Sequence, residues 1–137
     1  MNNDYILPKY LTSDLEKETD ELFEKGKINK SLLKNRDYLF ILAYYYLSMK
    51  EKPEVIGKFK YYVLKAIYKG QLDAMILLSN YYLGKNNILA KKYLDMAIKN
   101  GHKYYHKILA KYHQTMEEPE KAKQVLEEGI KLGQEDL

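Results

Sequence analysis

Residues 73–101, DAMILLSNYYLGKNNILAKKYLDMAIKNG, decide the fold. Ala74, Leu77, Leu78, Tyr81 and Tyr82 recur at spacings of three and four, as do Ala90, Tyr93, Leu94, Ala97 and Ile98. Each set lays one apolar stripe along a helix. Residues 84–87 read as a tight turn between the two helices, and Gly101 closes the second. One such pair buries too little apolar surface to stand alone, so the pattern is expected to recur along the chain.

It does. AIKNG at 97–101 has relatives in AIYKG at 66–70, 31 residues upstream, and GIKLG at 129–133, 32 residues downstream. In the same frame Ser79 matches Ala110 at a spacing of 31 and Ala43 at a spacing of 36. The extra five residues fall between Tyr46 and Phe59, where SMKEKPEVIG reads as a longer hairpin turn. Helices that cross closely need short side chains at the crossing, with larger ones filling the grooves beside it. Ala43, Ser79 and Ala110 are therefore expected on the first helices, facing Ala66, Ala97 and Gly129 on the second ones. Phe59, Ala90 and Ala122 form a further matched set, followed by Tyr62, Tyr93 and Val125. Gly70, Gly101 and Gly133 suit the left-handed position just past a helix, where a Cβ is penalised.

These residues resemble the Sel1-like branch of the tetratricopeptide repeats. The likeness lies in Ala74, Leu77, Leu78, Ser79, Tyr81 and Tyr82, followed by A-x-x-Y-L-x-x-A-I-x-x-G at 90–101. It covers about three units over residues 37–133. The resemblance implies an all-α, right-handed superhelix (solenoid) of antiparallel helix pairs, acting as a protein–protein interaction module or scaffold. The chain departs from the family where its glycine-rich hairpin shrinks to Gly84-Lys85-Asn86-Asn87, and where Gln114 to Pro119 replaces it in the last unit. Tyr105 occupies the place of Ala74, so the last pair is expected to pack more loosely or at a different angle.

The whole chain, 1–137, reads as one helical-repeat domain: a degenerate capping unit and linker at 1–36, then units at 37–70, 71–101 and 102–133. Tyr5, Ile6, Leu7, Tyr10 and Leu11 suggest a short docking helix, with Pro8 either early in it or limiting it. Ser13 or Asp14 is expected to start the next helix, with Ser13 and Glu16 as a capping box. DYLFILAYYYLSM at 37–49 is the most apolar segment and reads as a helix buried on both sides. Pro53 and Pro119 suit the first turn of a helix, and Asp73 suits the N-cap of the helix that follows it. The first helix of the last unit is expected over 103–115.

Of the 137 residues, 46% are hydrophobic and 31% charged, the balance of a folded chain rather than a disordered one. The absence of cysteine excludes disulfides, thiolate nucleophiles and cysteine-based metal sites. No leader pattern opens the chain, and no run approaches the length of a membrane span. A cytoplasmic, soluble protein without membrane association is expected, in the cytoplasm of a host cell if the protein is viral or an effector. His102 and His106 have the spacing of a two-histidine metal pair, yet the glutamate of a zinc hydrolase is missing between them. They read as solvent-facing or packing residues. No phosphate loop, dinucleotide fingerprint or nucleophile elbow is present. No enzymatic activity, catalytic residue, cofactor or metal is expected.

Tyrosine is the unusual component, at 15 residues against three phenylalanines and no tryptophan. Tyr62, Tyr82 and Tyr93 fall on matched columns and read as core lining. Consecutive helical residues point about 100° apart, so not all tyrosines of a run can face inward. Some of Tyr44, Tyr45, Tyr81, Tyr104 and Tyr105 are therefore expected to be exposed in an inner groove, where tyrosine gives amphipathic contact area at low entropic cost. Charge is unevenly spread: residues 71–116 carry seven lysines against two aspartates, and residues 117–137 three lysines against seven carboxylates. Lys85, Lys91, Lys92 and Lys103 would bias such a groove toward another protein or an acidic peptide. The alternatives are single-stranded nucleic acid or another polyanion bound through the basic middle, and a self-associating structural role as a homo-oligomer joined head to tail. Arginine, the preferred reader of bases and phosphates, occurs once, at Arg36.

Overall fold

The computed structural model describes residues 15–133, all helix and connection, with no strand among them. Seven α-helices follow in order: α1 (Glu16–Lys25), α2 (Arg36–Leu47), α3 (Pro53–Tyr68), α4 (Leu72–Tyr82), α5 (Asn87–Lys99), α6 (His106–Thr115) and α7 (Pro119–Lys131). A short 3-10 turn at Lys30–Leu32 joins α1 to α2. The fold is all-α. No described helix is long and apolar enough to cross a membrane. Two compact units divide the chain, Met1–Ala74 and Met75–Leu137, with the division inside α4. The docking helix expected around Tyr5 to Leu11 and the Ser13 arm of the capping box lie outside the described residues; α1 begins at Glu16 with no side-chain cap.

In the first unit α2 is the core. Every residue from Tyr38 to Tyr44 is buried, and α2 packs against both α1 and α3. A helix that is apolar all round is stable only when enclosed in this way. The Asn35 side chain caps it, accepting from the N–H groups of Asp37 and Tyr38 at 2.9 and 3.0 Å. Helix α3 turns Val55, Phe59, Val63 and Ala66 inward, at spacings of four, four and three. Its Pro53 stands in the first turn, where a missing N–H costs nothing. The stretch SMKEKPEVIG is not all turn: only five residues separate α2 from α3, and the rest extends α3 to 16 residues against 13 in α5 and α7. Val55, within that extension, is buried.

The ends of α3 and α5 share one motif. The Gly70 N–H donates to the Ile67 carbonyl at 2.8 Å and the Gln71 N–H to Ala66 at 3.0 Å. The Gly101 N–H donates to Ile98 at 3.1 Å and the His102 N–H to Ala97 at 2.9 Å. Both glycines have positive φ, 85° and 93°, as this two-bond closure requires.

Helix α4 is capped by Gln71, not by Asp73 as the sequence suggests. Asp73 lies one residue inside the helix, and the Gln71 Oε1 accepts from the Ala74 N–H at 2.8 Å. The Gln71 amide also donates to Asp37 Oδ1 at 3.3 Å, a contact with the start of α2 inside the first unit.

In the second unit the turn after α4 is closed by asparagines: Asn87 Oδ1 accepts from the Gly84 N–H at 2.8 Å, and Asn86 Oδ1 caps α5 through the Leu89 N–H at 3.1 Å. All six small positions, Ala43, Ser79, Ala110, Ala66, Ala97 and Gly129, are buried. Their facing partners differ from the expectation. Ser79 meets Ala90, its hydroxyl donating to the Ala90 carbonyl at 2.7 Å, and Ala110 clusters with Ala122 and Val125. In an antiparallel hairpin, residues equidistant from the turn oppose each other, which pairs the Ser79 and Ala110 column with Ala90 and Ala122 instead of Ala97 and Gly129. Helix α6 begins at His106, so Lys103, Tyr104 and Tyr105 precede it and the last pair is shorter than its sequence frame implies.

Candidate functional site

Two hairpins repeat the same aromatic construction. In the α2–α3 hairpin, Tyr46 stacks on Tyr62 with centroids 5.7 Å apart and planes within 5°. In the α4–α5 hairpin, Tyr82 stacks on Tyr93 at 6.3 Å and 16°. Tyr46 and Tyr82 each stand three residues after the small position of their helix, Ala43 or Ser79. The preceding tyrosine meets each stack edge-on: Tyr45 against Tyr46 at 5.2 Å and 66°, Tyr81 against Tyr82 at 5.2 Å and 69°. Offset and edge contacts of this kind suit the quadrupole of the ring. Burial, and then the neighbouring Tyr62 hydroxyl, push the Tyr46 phenol above its usual range.

Lysines approach these rings. Lys85 lies 4.8 Å from the Tyr81 centroid and its ammonium donates to the Tyr81 carbonyl at 3.1 Å. Lys92 approaches Tyr93 at 5.4 Å, Lys91 approaches Tyr112 at 5.9 Å and, in the first unit, Lys58 approaches Tyr46 at 5.5 Å. Exposed cation–ring contacts of this length contribute about 0.5–1 kcal/mol each. Lys91 also pairs with Asp95 at 2.8 Å, and that hydrogen bond raises its ammonium above the usual lysine range. The second unit thus gathers Tyr81, Tyr82, Tyr93 and Tyr112, all partly buried, with exposed Lys85, Lys91 and Lys92.

The other sequence candidates separate from this group. Tyr44 is a correction: it is buried, 4% exposed, and packs at 6.2 Å from Phe23. Adjacent residues of α2 are both buried because the helix packs against α1 as well as α3. Lys103 and Tyr104 are exposed in the nonhelical connection before α6. Tyr105 lies over the His106 ring at 4.2 Å and 19°. His106 is buried with no hydrogen-bond partner for its Nδ1 among the described residues, and His102 Nδ1 accepts from the Tyr104 N–H at 3.1 Å. Among the described residues no three His, Cys, Asp or Glu side chains gather as a metal would need.

The last hairpin replaces the stack with charge. His113 takes the place of Tyr82, and its Nδ1 lies 3.0 Å from Glu118 Oε1, while Lys121 reaches Glu118 Oε2 at 2.9 Å. Lys121 first, and His113 after it, hold the Glu118 carboxyl below its usual range.

One apolar surface escapes the repeat frame. Tyr61, Leu64 and Tyr68 on α3 are 56%, 46% and 92% exposed. Their i, i+3, i+7 spacing is legible in the sequence, and the repeat columns of α3, Phe59 and Ala66, fall on its buried face. Comparison with family models, with curated proteins and with solved structures gives no match.

Proposed function

We propose that this chain is a protein-interaction module whose helix pairs form a short superhelix of the Sel1-like kind. Its binding surface in the second unit consists of Tyr81 and Tyr112, flanked by Lys85, Lys91 and Lys92, and it takes an acidic segment of a partner polypeptide. The recurring tyrosine stack carries this reading. In each of two hairpins one ring is spent on internal packing while the preceding tyrosine, Tyr45 or Tyr81, stays only partly covered beside it. A rigidly held, partly exposed tyrosine offers contact area with little rotamer entropy left to lose. Nearby ammonium groups favour carboxylates and steer their approach.

Peptides selected from a random library against the immobilised protein test the reading. The expected winners carry Asp and Glu around an apolar residue. Tyr81→Ala is expected to weaken them by about tenfold, a typical loss for an interface tyrosine, and Tyr81→Phe by much less. Oligothymidylate serves as the competing probe. Binding that prefers it, falls steeply with salt and depends on Lys91, Lys92 and Lys103 but not on Tyr81 would replace the polypeptide reading with a polyanion one.

A further inference from the structure

The exposed stripe on α3 is part of a groove. Leu33 and Lys34, just after the 3-10 turn, together with Tyr61, Leu64, Lys65, Tyr68 and Lys69 line a depression of about 500 Å³ in the first unit. The two faces of α3 explain it. Val55, Phe59, Val63 and Ala66 bury one side, and Tyr61, Leu64 and Tyr68 build a second apolar stripe on the other, at the spacing with which helices receive helices. Lys65 donates to the Tyr61 hydroxyl at 3.2 Å and holds that ring at the rim. Lys34 and Lys69 have no ion-pair partner among the described residues, and Arg36 reaches the Lys69 carbonyl at the same end of α3. The groove is apolar along its floor and basic at its edge.

The opposite character appears at the end of α7. Ile130 and Leu132 are 64% and 69% exposed. Glu127 and Glu128 stand beside them, exposed and without ion pairs among the described residues. Residues 117–137 carry seven carboxylates against three lysines. An apolar pair framed by acids matches an apolar stripe framed by lysines in both respects. We propose that the α3 groove receives the carboxyl-terminal end of α7 from a second copy of this chain. The two surfaces are unlike, so the contact is heterologous. Each bound copy leaves one groove and one α7 end unfilled, and association continues as an open chain instead of closing as a dimer. The site shares no residue with the Tyr81 surface, so either reading survives failure of the other.

Sedimentation velocity of the full chain across a wide concentration series, at low salt, tests this. The expected result is a mass that rises past that of a dimer without levelling. It should return to monomer near 0.5 M salt, where charges are screened beyond roughly 4 Å. The variants K65Q/K69Q and E127Q/E128Q should each weaken association by about tenfold or more. Each variant keeps one intact surface, so mixing them is expected to give a one-to-one pair that grows no further, which also shows that both are folded. A wild-type chain that stays monomeric throughout overturns the proposal, whether its groove is filled by its own first residues or by a foreign protein. So does growth that neither variant disturbs, or a mixture in which no pair forms.

Discussion

In the α2–α3 hairpin Tyr46 lies flat on Tyr62, and Phe59, one turn before Tyr62, is fully buried. In the α6–α7 hairpin the same register holds His113 and Val125, and Ala122 stands in the place of Phe59. A small cluster of Ala110, Ala122 and Val125 forms the interior, and Glu118 bridges His113 and Lys121 above it. The frame of small residues and closing glycines is common to both. The first hairpin is held by aromatic volume, and the last by a thin core with a charge network at its margin. One helical register thus tolerates two very different ways of filling the space between helices, provided the crossing residues stay small.

The largest expected effect separates the two cores. Phe59→Ala should cost about 4 kcal/mol and Val125→Ala about 2 kcal/mol, read from urea unfolding of the full chain. Equal losses would erase the contrast between the hairpins. The closing glycines probe what the hairpins share: Gly70→Ala and Gly101→Ala are each expected to cost about 1–2 kcal/mol, since both sit at positive φ in open or ordinary surroundings. A marked difference between them in the same unfolding assay would show that the two helix ends are not equivalent.

Thr19, on α1, supplies a smaller effect of opposite sign. Its hydroxyl is buried without a hydrogen-bond partner among the described residues, so Thr19→Val should raise the unfolding midpoint, by about 1 kcal/mol in stability. The smallest effect belongs to the charge network. Glu118 is held below its usual pKa by Lys121 and His113. Its contribution is therefore present above the unfolded carboxylate value and lost as the pH falls through the depressed folded one. Thermal melts should show the parent chain more stable than Glu118→Gln at neutral pH, with the two converging as the pH falls through the acidic range.

Much of this was legible in the sequence, for identifiable reasons. Glycines at 70, 101 and 133 marked helix ends because a positive φ leaves little choice of residue, and Pro53 and Pro119 marked helix starts for a similar reason. Ala43, Ser79 and Ala110 revealed the crossings because only small side chains fit there. Periodicity reports one neighbour per helix, and it misled wherever a helix has more. Tyr44 looked exposed because consecutive tyrosines point about 100° apart, yet α2 reads as buried on both sides and packs against both α1 and α3, so the whole of that run finds protein. Tyr61, Leu64 and Tyr68 went unread because α3 already had an inward face. Asp73 looked like a cap by residue type, and the Gln71 side chain, one bond longer, reaches the Ala74 N–H from the residue before the helix. His106 became the start of α6 because the preceding tyrosines lie outside the helix, which no residue preference announces.

The account turns on Tyr81 and Tyr112 being contact residues and not merely the outer edge of a packed interior. Amide chemical shifts of the labelled protein, followed while an acidic library-selected peptide is titrated in, test this most directly. The expected shifts gather at Tyr81, Lys85, Lys91, Lys92 and Tyr112 and vanish with Tyr81→Ala. Saturable binding that leaves those amides unmoved and perturbs another surface would contradict it.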